Sequence, residues 1–540
     1  MNKEETFQRL QSGFATWNSW SKQVLAKRPA DGSPQLADWH REAATDFSGS
    51  VFRETANFAG FIFPGSVTFE RSEFREGVTF ESASFGGPAA FRNSIVQKSI
   101  SLEGCKFEDE VSFRDAQLHC PSHFIRAGFV RSADFIRTQF GGDTWFDLSW
   151  FELDANFSDA KFSSKTHFDR TEFKQSVNFE KSSFTQRVQF RKTYFRGWAD
   201  FEDTTFKKFA YFKLAHFEQG VNFGQAKFLA QAAFDDADFD KEAKFDDSEF
   251  CGRASFSKTT FHGPASFMHT RFGRATSFQE AIFVKDTRFV AIKGADMFTL
   301  EAAHFSEAPD FTQAHFEEAP RLDNATFPKP ARAEGEAARW RSLKRLALQG
   351  HDHDRELLFF ANELRSTRGV SDRSLPSIPN AVERVGRKLK YFFGKAEDEN
   401  AQALPVWRNS ARFWMGLAYQ WFSSFGRSML RPLLWWAVVT LAFAGSYWWG
   451  SLNGNSCVGG GSNTFNSALY LSLNKALIFS GIGTPEYLSQ SYACLYGTMG
   501  ENLPPVIPDY VAFMGILQTV FSGTLIFLFL LAVRNQFRIR

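Results

Sequence analysis

Phenylalanine recurs every eleven residues, with no break in register, from Phe47 to Phe327 of this 540-residue chain. One ladder of positions starts at Phe47 and ends at Leu322, and a second starts at Phe52 and ends at Phe327. Each ladder has 26 positions, of which 23 are Phe. Such a repeat explains why the chain contains 66 Phe, many more than its Trp or Tyr. The six exceptions are Val96, Leu102, Leu118, Gly294, Leu300 and Leu322.

The two ladders are separated by steps of five and six residues in alternation. An 11-residue period also occurs in right-handed coiled coils. A five-residue step, however, turns a helix by about 130–140°, so that the two ladders would lie on different faces. A small or β-branched residue stands two positions before most ladder residues, as Ala160 does before Phe162, and the remaining positions are polar. This pattern predicts a β-solenoid in which each wall contributes one Phe to a shared core.

The stretch AKFSSKTHFDRTEFKQSVNFEKSSF, residues 160–184, resembles the pentapeptide-repeat family in a Phe-centred variant. The resemblance implies an all-β, right-handed quadrilateral β-helix with 22 residues per coil over residues 46–328. About 13 coils stacked at about 4.8 Å would give a rod of about 60 Å. The ladder residues expected in the middle of its core are Phe157, Phe162, Phe168, Phe173, Phe179 and Phe184.

The segments that flank the solenoid are predicted to be helical. Residues 1–45 are expected to form an N-terminal cap, since apolar residues recur at helical spacing between residues 4 and 27. Residues 329–430 are expected to form a linker with two amphipathic helices around Gly350 and a helix at the membrane interface. The two-helix part, residues 331–369, resembles the helical linker of membrane-bound pentapeptide-repeat proteins. His351 and His353 lie in the turn between the two helices, where a solvated loop is a better interpretation than a metal site.

Residues 431–540 are predicted to be a transmembrane domain. The apolar runs 433–450 and 510–533 are each about long enough to span a bilayer. Arginines precede the first run and follow the second, whereas the loop between the two runs contains a single strong cation, Lys475. The positive-inside rule therefore predicts a multi-pass protein of the plasma membrane (the bacterial inner membrane) with a cytoplasmic solenoid and C-terminus. The flanking cations are Arg412, Arg427, Arg431, Arg534, Arg538 and Arg540.

The loop between the two runs is half apolar and ends in a Gly-rich turn. Two spans with such a loop resemble the two-helix, pore-loop ion channels. The resemblance implies a re-entrant segment at 465–487 and a homo-oligomer, with a tetramer favoured. Its pore helix would contain Ser472, Asn474 and Lys475, and its ion filter would consist of Phe479, Ser480, Gly481, Ile482, Gly483 and Thr484. The Thr-Val-Gly-Tyr-Gly sequence of potassium channels is absent, and a plain two-helix anchor with a folded outer loop is the alternative.

The five cysteines divide by location. Cys457 and Cys494 lie in the loop that is predicted to face outward, so a disulfide between them is expected. Cys105, Cys120 and Cys251 lie in the solenoid and are expected to be reduced. No Cys-x-x-Cys pair or cluster of metal ligands is present in the sequence, and neither a metal nor a cofactor is predicted.

Three functions are compatible with these features. The first is an oligomeric ion channel or channel-like protein whose cytosolic solenoid serves for assembly, sensing or partner binding. The second is a membrane-anchored interaction scaffold without transport, and the third is a DNA mimic that binds gyrase. Residues 51–327 contain 40 acidic and 33 basic side chains, mixed except near Asp235–Glu249, which disfavours DNA mimicry. The net charge of +2 gives no reason to expect nucleic-acid binding. No enzyme motif is present, so no enzymatic activity is predicted.

Overall fold

The computed structural model of the chain describes all residues except 31–32, 332–334, 371–417, 427, 452–460, 478–484, 499–504 and 538–540. The chain divides into two compact units. The first consists of Met1–Pro330 and Ala338–Asp352, and the second of Ala331–Ala337 and His353–Arg540. The boundary between the two units falls within residues 329–430, which the sequence predicts to be one linker.

The repeat folds as a parallel β-solenoid with four walls. Every strand has two residues, and each wall gains one strand every 22 residues, as in the pairing of Lys161 with Ser183. The four-walled, 22-residue coil is therefore confirmed, while the right-handed sense stays a prediction from the resemblance. The walls contain 12, 13, 12 and 12 strands and run from Thr45–Asp46 to Thr287–Arg288, from Val51–Phe52 to His315–Phe316, from Ala56–Asn57 to Phe298–Thr299, and from Ile62–Phe63 to His304–Phe305.

The two Phe ladders form the core of the solenoid. Phe157 stacks on Phe179 of the next coil with ring centroids 4.8 Å apart and planes inclined by 7°. Within one coil the rings meet edge to face, as Phe157 and Phe168 do at 5.7 Å and 87°. Both arrangements are favourable for aromatic pairs, and both require the same ring at the same place in each coil. The six expected core residues are each at most 1% exposed: Phe157, Phe162, Phe168, Phe173, Phe179 and Phe184.

The five-residue steps contain a tight turn with a left-handed residue. The carbonyl of Phe168 accepts a hydrogen bond from the Thr171 N–H at 3.1 Å, and Arg170 between them has a φ of 58°. A positive φ at the third position is required by a type II turn. The same conformation recurs every eleven residues from Gly49 to Asn324, at three glycines and otherwise mostly at polar residues.

Replacing Arg170 with Val should destabilise the solenoid by about 1 kcal/mol, because a β-branched side chain fits the left-handed region poorly. Replacing Arg170 with Gly should leave stability unchanged or slightly raised, because Gly adopts this region without a steric cost. The thermal midpoint of the β-sheet circular dichroism signal measures both effects. Equal losses for the two variants would show that the Arg170 side chain, and not its backbone conformation, determines stability here.

Three helices precede the first coil: Lys3–Gln11, Phe14–Ala26 and Leu36–Ala43. The single helix that the sequence predicts over residues 4–27 is wrong, because the chain breaks at Gly13, which has a φ of 89°. Trp17 is fully buried and lies against Phe47 at 6.2 Å. The indole of Trp17 and the hydroxyl of Ser21 both donate to the carbonyl of Ile62, at 2.9 and 2.7 Å. These helices thus cover the first coil and pair the backbone of an edge strand.

Two helices follow the last coil: Glu336–Gln349 and His353–Val370. They confirm the expectation of two helices around Gly350. Trp340 is fully buried, and the Ser342 hydroxyl accepts a hydrogen bond from the N–H of Phe311 at 3.2 Å. Arg339 forms an ion pair with Asp286 at 2.6 Å. Residues 338–352 therefore cover the last coil of the solenoid, a role that the sequence did not indicate.

Four helices form most of the described C-terminal region. We call them the first long helix (Leu430–Ser451), the half-helix (Gly461–Ala476), the return helix (Pro485–Tyr496) and the second long helix (Asp509–Phe537). Among the described residues, only Asp509–Asn535 is long and apolar enough to cross a membrane. The first predicted span, 433–450, is helical but less apolar, because it contains four Trp, Thr440 and Tyr447. The segment 371–417, which includes part of the predicted interface helix, lies outside the described residues.

Candidate functional site in the C-terminal helices

The half-helix runs antiparallel to the first long helix. Near its start, the ring of Phe465 meets Trp448 at 6.1 Å. At its end, the carbonyl of Ala476 accepts a hydrogen bond from the indole of Trp436 at 3.4 Å. The half-helix therefore follows the first long helix for about 18 Å, the length of the helical segment between the two tryptophans.

The return helix leads back toward the end where the half-helix begins. At its start, Tyr487 lies 6.1 Å from Tyr470, in the middle of the half-helix. At its end, the hydroxyl of Tyr496 donates to the carbonyl of Tyr447 at 3.0 Å. The second long helix also begins there, since Tyr510 lies 6.4 Å from Tyr496. The half-helix and the return helix thus form a hairpin that enters and leaves at one end of the long helices.

A buried polar cluster joins the half-helix to both long helices. The hydroxyl of Tyr447 donates to Gln518 Oε1 at 3.0 Å. Gln518 Nε2 donates to the carbonyl and to the hydroxyl of Ser472, at 2.8 and 2.7 Å. The Ser472 hydroxyl in turn donates to the carbonyl of Thr440 at 2.7 Å. Since Tyr447, Ser472 and Gln518 are each at most 1% exposed, this cluster fixes the half-helix in position and rotation.

Lys475 lies one turn beyond Ser472, in the last turn of the half-helix. It is partly buried and packs against a glycine of the second long helix: a Cβ at Gly515 would lie 3.5 Å from Lys475 Cε. The carbonyl of Lys475 accepts a hydrogen bond from the Thr519 hydroxyl at 3.2 Å. The structure therefore places two predicted pore-helix residues, Ser472 and Lys475, against the second long helix. The third, Asn474, is also partly buried.

The predicted filter residues lie outside the described residues, and their role stays a prediction. These are Phe479, Ser480, Gly481, Ile482, Gly483 and Thr484. The structure describes the chain on both sides of this segment, up to Leu477 and again from Pro485 to Thr498. An apolar cluster between the hairpin and the two long helices contains Tyr447, Ala468, Leu471, Tyr492, Leu495 and Val511.

The cysteines differ in state. Cys105, Cys120 and Cys251 are free thiols, as expected. Cys494 in the return helix is disulfide-bonded and its sulfur lies 3.3 Å from the Ser467 hydroxyl. Cys457 lies outside the described residues, so its pairing with Cys494 stays a prediction.

Thiol labelling should distinguish the three solenoid cysteines. Burial raises the pKa of the Cys105 thiol strongly and that of Cys120 to about 12, so both are protonated at neutral pH. The pKa of the exposed Cys251 is also raised, by partial burial and the nearby Glu249. Because the thiolate is the reactive form, a maleimide at pH 7 should label the folded solenoid slowly and at Cys251 alone. Mass spectrometry measures the labelled positions, and Cys251→Ser is the control.

Labelling of Cys105 or Cys120 in the folded protein at the rate seen after denaturation would contradict this prediction. It would mean that the coils open locally on the time scale of the reaction.

Sequence reasoning missed Gln518 and Tyr447. A signal was present for Gln518, since it is the only amide side chain in the apolar run 510–533, and polar residues in such runs usually face other helices. No comparable signal marks Tyr447, because Tyr is common near the ends of membrane helices.

The solenoid walls carry ion pairs and scattered apolar residues. Arg137 binds Asp115 of the preceding coil through two hydrogen bonds of 2.7 Å, which lower the pKa of the Asp115 carboxyl. Tyr194 is 48% and Phe209 is 38% exposed on two of the walls. Among the described residues, no group of three His, Cys, Asp or Glu side chains could hold a metal ion.

The comparisons with known proteins agree with the fold of the first unit. The family model described as pentapeptide repeats matches residues 69–117 and, through overlapping matches, residues 157–292, with nine copies. Neither a curated protein nor a solved structure matches the chain. The matched residues lie within the four-walled β-solenoid, so residues 69–117 and 157–292 of this chain are pentapeptide repeats.

Proposed function

We propose that this chain is an oligomeric membrane protein whose C-terminal helices form an ion channel or a channel-like pore. Its pentapeptide-repeat solenoid would be a cytosolic arm for assembly, sensing or partner binding. The hairpin of half-helix and return helix is the observation that carries the proposal. A hairpin that enters and leaves at one end of two long helices is the expected geometry of a re-entrant segment between two spans.

The exposed surfaces of the two long helices support membrane insertion. Large apolar side chains cover the outside of the second long helix, and several lie on the first. Exposed apolar area of this extent requires lipid or another subunit as its neighbour. The large apolar side chains of these two helices that are exposed by 53% or more are Leu430, Leu434, Val438, Leu441, Trp449, Phe513, Ile516, Val520, Phe527 and Leu530.

Oligomerisation follows from the number of helices. Two long helices and one half-helix cannot enclose a path for ions, so several copies have to meet around an axis, and the pore-loop resemblance favours four. The cations that flank both predicted spans would place the solenoid and the C-terminus in the cytosol. The lipids and the inorganic ions on either side are then the expected partners of the second unit.

Reconstitution tests this proposal. Full-length protein in planar bilayers or liposomes should give discrete currents, and its detergent particle should show rotational symmetry in electron micrographs. A variant lacking residues 460–490 should lose the currents while its solenoid keeps its β-sheet circular dichroism signal. The absence of currents under all voltages and salts, from a protein that is folded and inserted, would contradict a pore.

A membrane-anchored scaffold without transport is the second candidate. The exposed Tyr194 and Phe209 on the solenoid walls favour it, because aromatic side chains on an otherwise polar surface are common in protein interfaces. Deletion of residues 460–490 separates the two functions. A scaffold should keep its cytosolic partner after this deletion, whereas a pore should lose its conductance.

A further inference from the structure

The charges of the solenoid are mixed along the sequence but separated between its walls. The second wall, together with the corner that follows it, forms what we call the basic face. In seven consecutive coils this face contains ten Lys or Arg and only two carboxylates, those of Glu249 and Asp296. The rest of the same coils, within residues 161–297, contains 12 basic and 16 acidic residues. The basic face consists of residues 161–165, 183–187, 205–209, 227–231, 249–253, 271–275 and 293–297.

The cations of the basic face are exposed and unpaired. Within the described part of the chain, none of the ten forms an ion pair, whereas seven of the twelve other cations of these coils do. Arg271 and Lys293 stand opposite each other in neighbouring strands, and like charges placed in this way weaken a sheet. The carboxylates that neutralise the other walls are thus largely missing from this face, and its charge is free to meet an anionic partner.

Two large apolar side chains lie among these cations. Phe209 is 38% exposed, and Leu229 in the next coil is 44% exposed. Lys207 and Lys208 directly precede Phe209, and Lys227 stands two residues before Leu229. Exposed Phe and Leu beside several Lys or Arg are typical of surfaces that lie in the headgroup region of a bilayer. There the cations meet the lipid headgroups, and the apolar side chains enter the boundary of the acyl chains.

The basic face is also straight. Beneath it, the stacked rings of successive coils from Phe162 to Phe272 are inclined by only 2–15°. Seven coils at a spacing of about 4.8 Å place Lys161 about 29 Å from Lys293. A planar array of headgroups meets a straight face along its whole length, whereas the backbone of a nucleic-acid duplex winds away from it. The shape therefore favours a lipid surface over a nucleic acid.

We infer that the basic face binds the anionic lipid headgroups of the cytosolic leaflet and holds the solenoid along the bilayer. This inference rests on the membrane location proposed above, but not on the pore. The cytosolic leaflet contains anionic lipids that attract clusters of Lys and Arg. An anchor in the same membrane keeps the solenoid at a high effective concentration near the headgroups, so that individually weak contacts suffice.

A fluorophore within the basic face tests the inference on the full-length protein. Cys251 is a free, exposed thiol of this face, and a maleimide attaches the fluorophore to it. The protein is reconstituted in vesicles with spin-labelled headgroups, which quench a fluorophore only at short range. Vesicles with about 30 mol% phosphatidylserine should quench it at least about twofold more than neutral phosphatidylcholine vesicles. About 0.5 M KCl should abolish the difference, because salt screens exposed charges. Cys251→Ser gives the background from any other labelled cysteine.

Two double variants separate the basic face from the overall charge. Lys207→Glu combined with Arg274→Glu should reduce the quenching in phosphatidylserine vesicles to the level of neutral vesicles. Arg191→Glu combined with Lys241→Glu makes the same change of charge at exposed cations of other walls and should keep the quenching of the wild type. An equal loss in both double variants would overturn the inference, since any cation of the solenoid would then serve.

Equal quenching of the wild type in anionic and neutral vesicles would also overturn the inference, whether or not the protein conducts ions. So would an emission change on addition of duplex RNA or DNA without a response to phosphatidylserine, which would assign the face to nucleic acid. If alkaline carbonate extracts the protein from vesicles, the proposed membrane location fails, and flotation of the soluble protein decides about the face. Flotation with anionic vesicles alone, lost in Lys207→Glu with Arg274→Glu, would support the lipid-binding face, and equal flotation with both kinds of vesicle would overturn it.

Discussion

Replacing Phe298 with Ala is expected to reduce the free energy of unfolding of the C-terminal coils by about 3–5 kcal/mol, the usual cost of removing a buried Phe side chain. Phe298 is not a ladder residue. It stands two positions before Leu300, where the other coils have small or β-branched residues such as Val188 and Ala210. Its ring is nevertheless 1% exposed and lies in the core.

The reason is Gly294, the one ladder position without a side chain. The ring of Phe298 enters the space that a Phe at 294 would fill, with its centroid 5.7 Å from Phe272 and 5.0 Å from Phe316. Phe316 also leans into this space, since a Cβ at Gly294 would lie 2.7 Å from its Cδ1. The missing ring is thus replaced from a neighbouring position of the same coil, and the core stays filled.

A double substitution makes this account testable. Gly294→Phe alone should overpack the coil and cost about 1–3 kcal/mol, and Phe298→Val alone should leave a cavity. The two together restore the ladder of the other coils and should recover most of both losses. Denaturant titrations followed by circular dichroism give the three free energies and their coupling. If the losses add in the double variant, the two positions do not compensate for each other.

The solenoid could be predicted from sequence because every residue of a coil has the same surroundings in the next coil. The period of the sequence then gives the length of the coil and the positions of the core residues. Phe157 and Phe179, for example, occupy equivalent positions in successive coils and have the same surroundings. The position of Gly294 showed where the pattern fails. It could not show how the gap is filled, because Phe298 belongs to a different set of positions and only the packing relates the two.

The ends of the solenoid were predicted less well, because they break the repeat. The pattern of apolar residues indicated a helix over residues 4–27, but the break at Gly13 depends on a single backbone conformation. The amphipathic helix that begins at Glu336 was visible as a helix. Its buried face does not reveal what it covers, so Trp340 was assigned to a linker and not to the cap of the last coil.

In the C-terminal helices, the sequence identified the long apolar segments and the half-helix but not the contacts between them. Ser472 was singled out for its place in a pore helix. Its partners Gln518 and Thr440 are distant in sequence. A single polar residue in an apolar run indicates a contact with another helix, but the sequence does not identify that helix. The predicted filter depends on residues beyond those that the structure describes, so its assignment stays with the resemblance.

Gln518→Leu is expected to destabilise the C-terminal helices by about 2 kcal/mol. Leu fills a similar volume, but the hydroxyl of the buried Tyr447 loses its acceptor, and an unpaired buried polar group costs about 1–3 kcal/mol. Ser472 still donates to the carbonyl of Thr440, so the half-helix keeps one of its attachments. Unfolding of the full-length protein in mixed micelles, followed by helical circular dichroism, measures the change.

Two further variants show whether the loss of stability comes from the hydrogen bonds of the cluster or would follow any polar-to-apolar change on the second long helix. Thr524 lies on the same helix, and its exposed hydroxyl donates to the carbonyl of Val520, its one partner among the described residues. Thr524→Val should therefore have almost no effect. Tyr447→Phe removes the group that Gln518→Leu leaves unpaired. Combined with Gln518→Leu, it should therefore cost less than the sum of the two single changes. Additive losses, or an equal loss for Thr524→Val, would mean that the hydrogen bonds of the cluster do not hold the half-helix between the long helices.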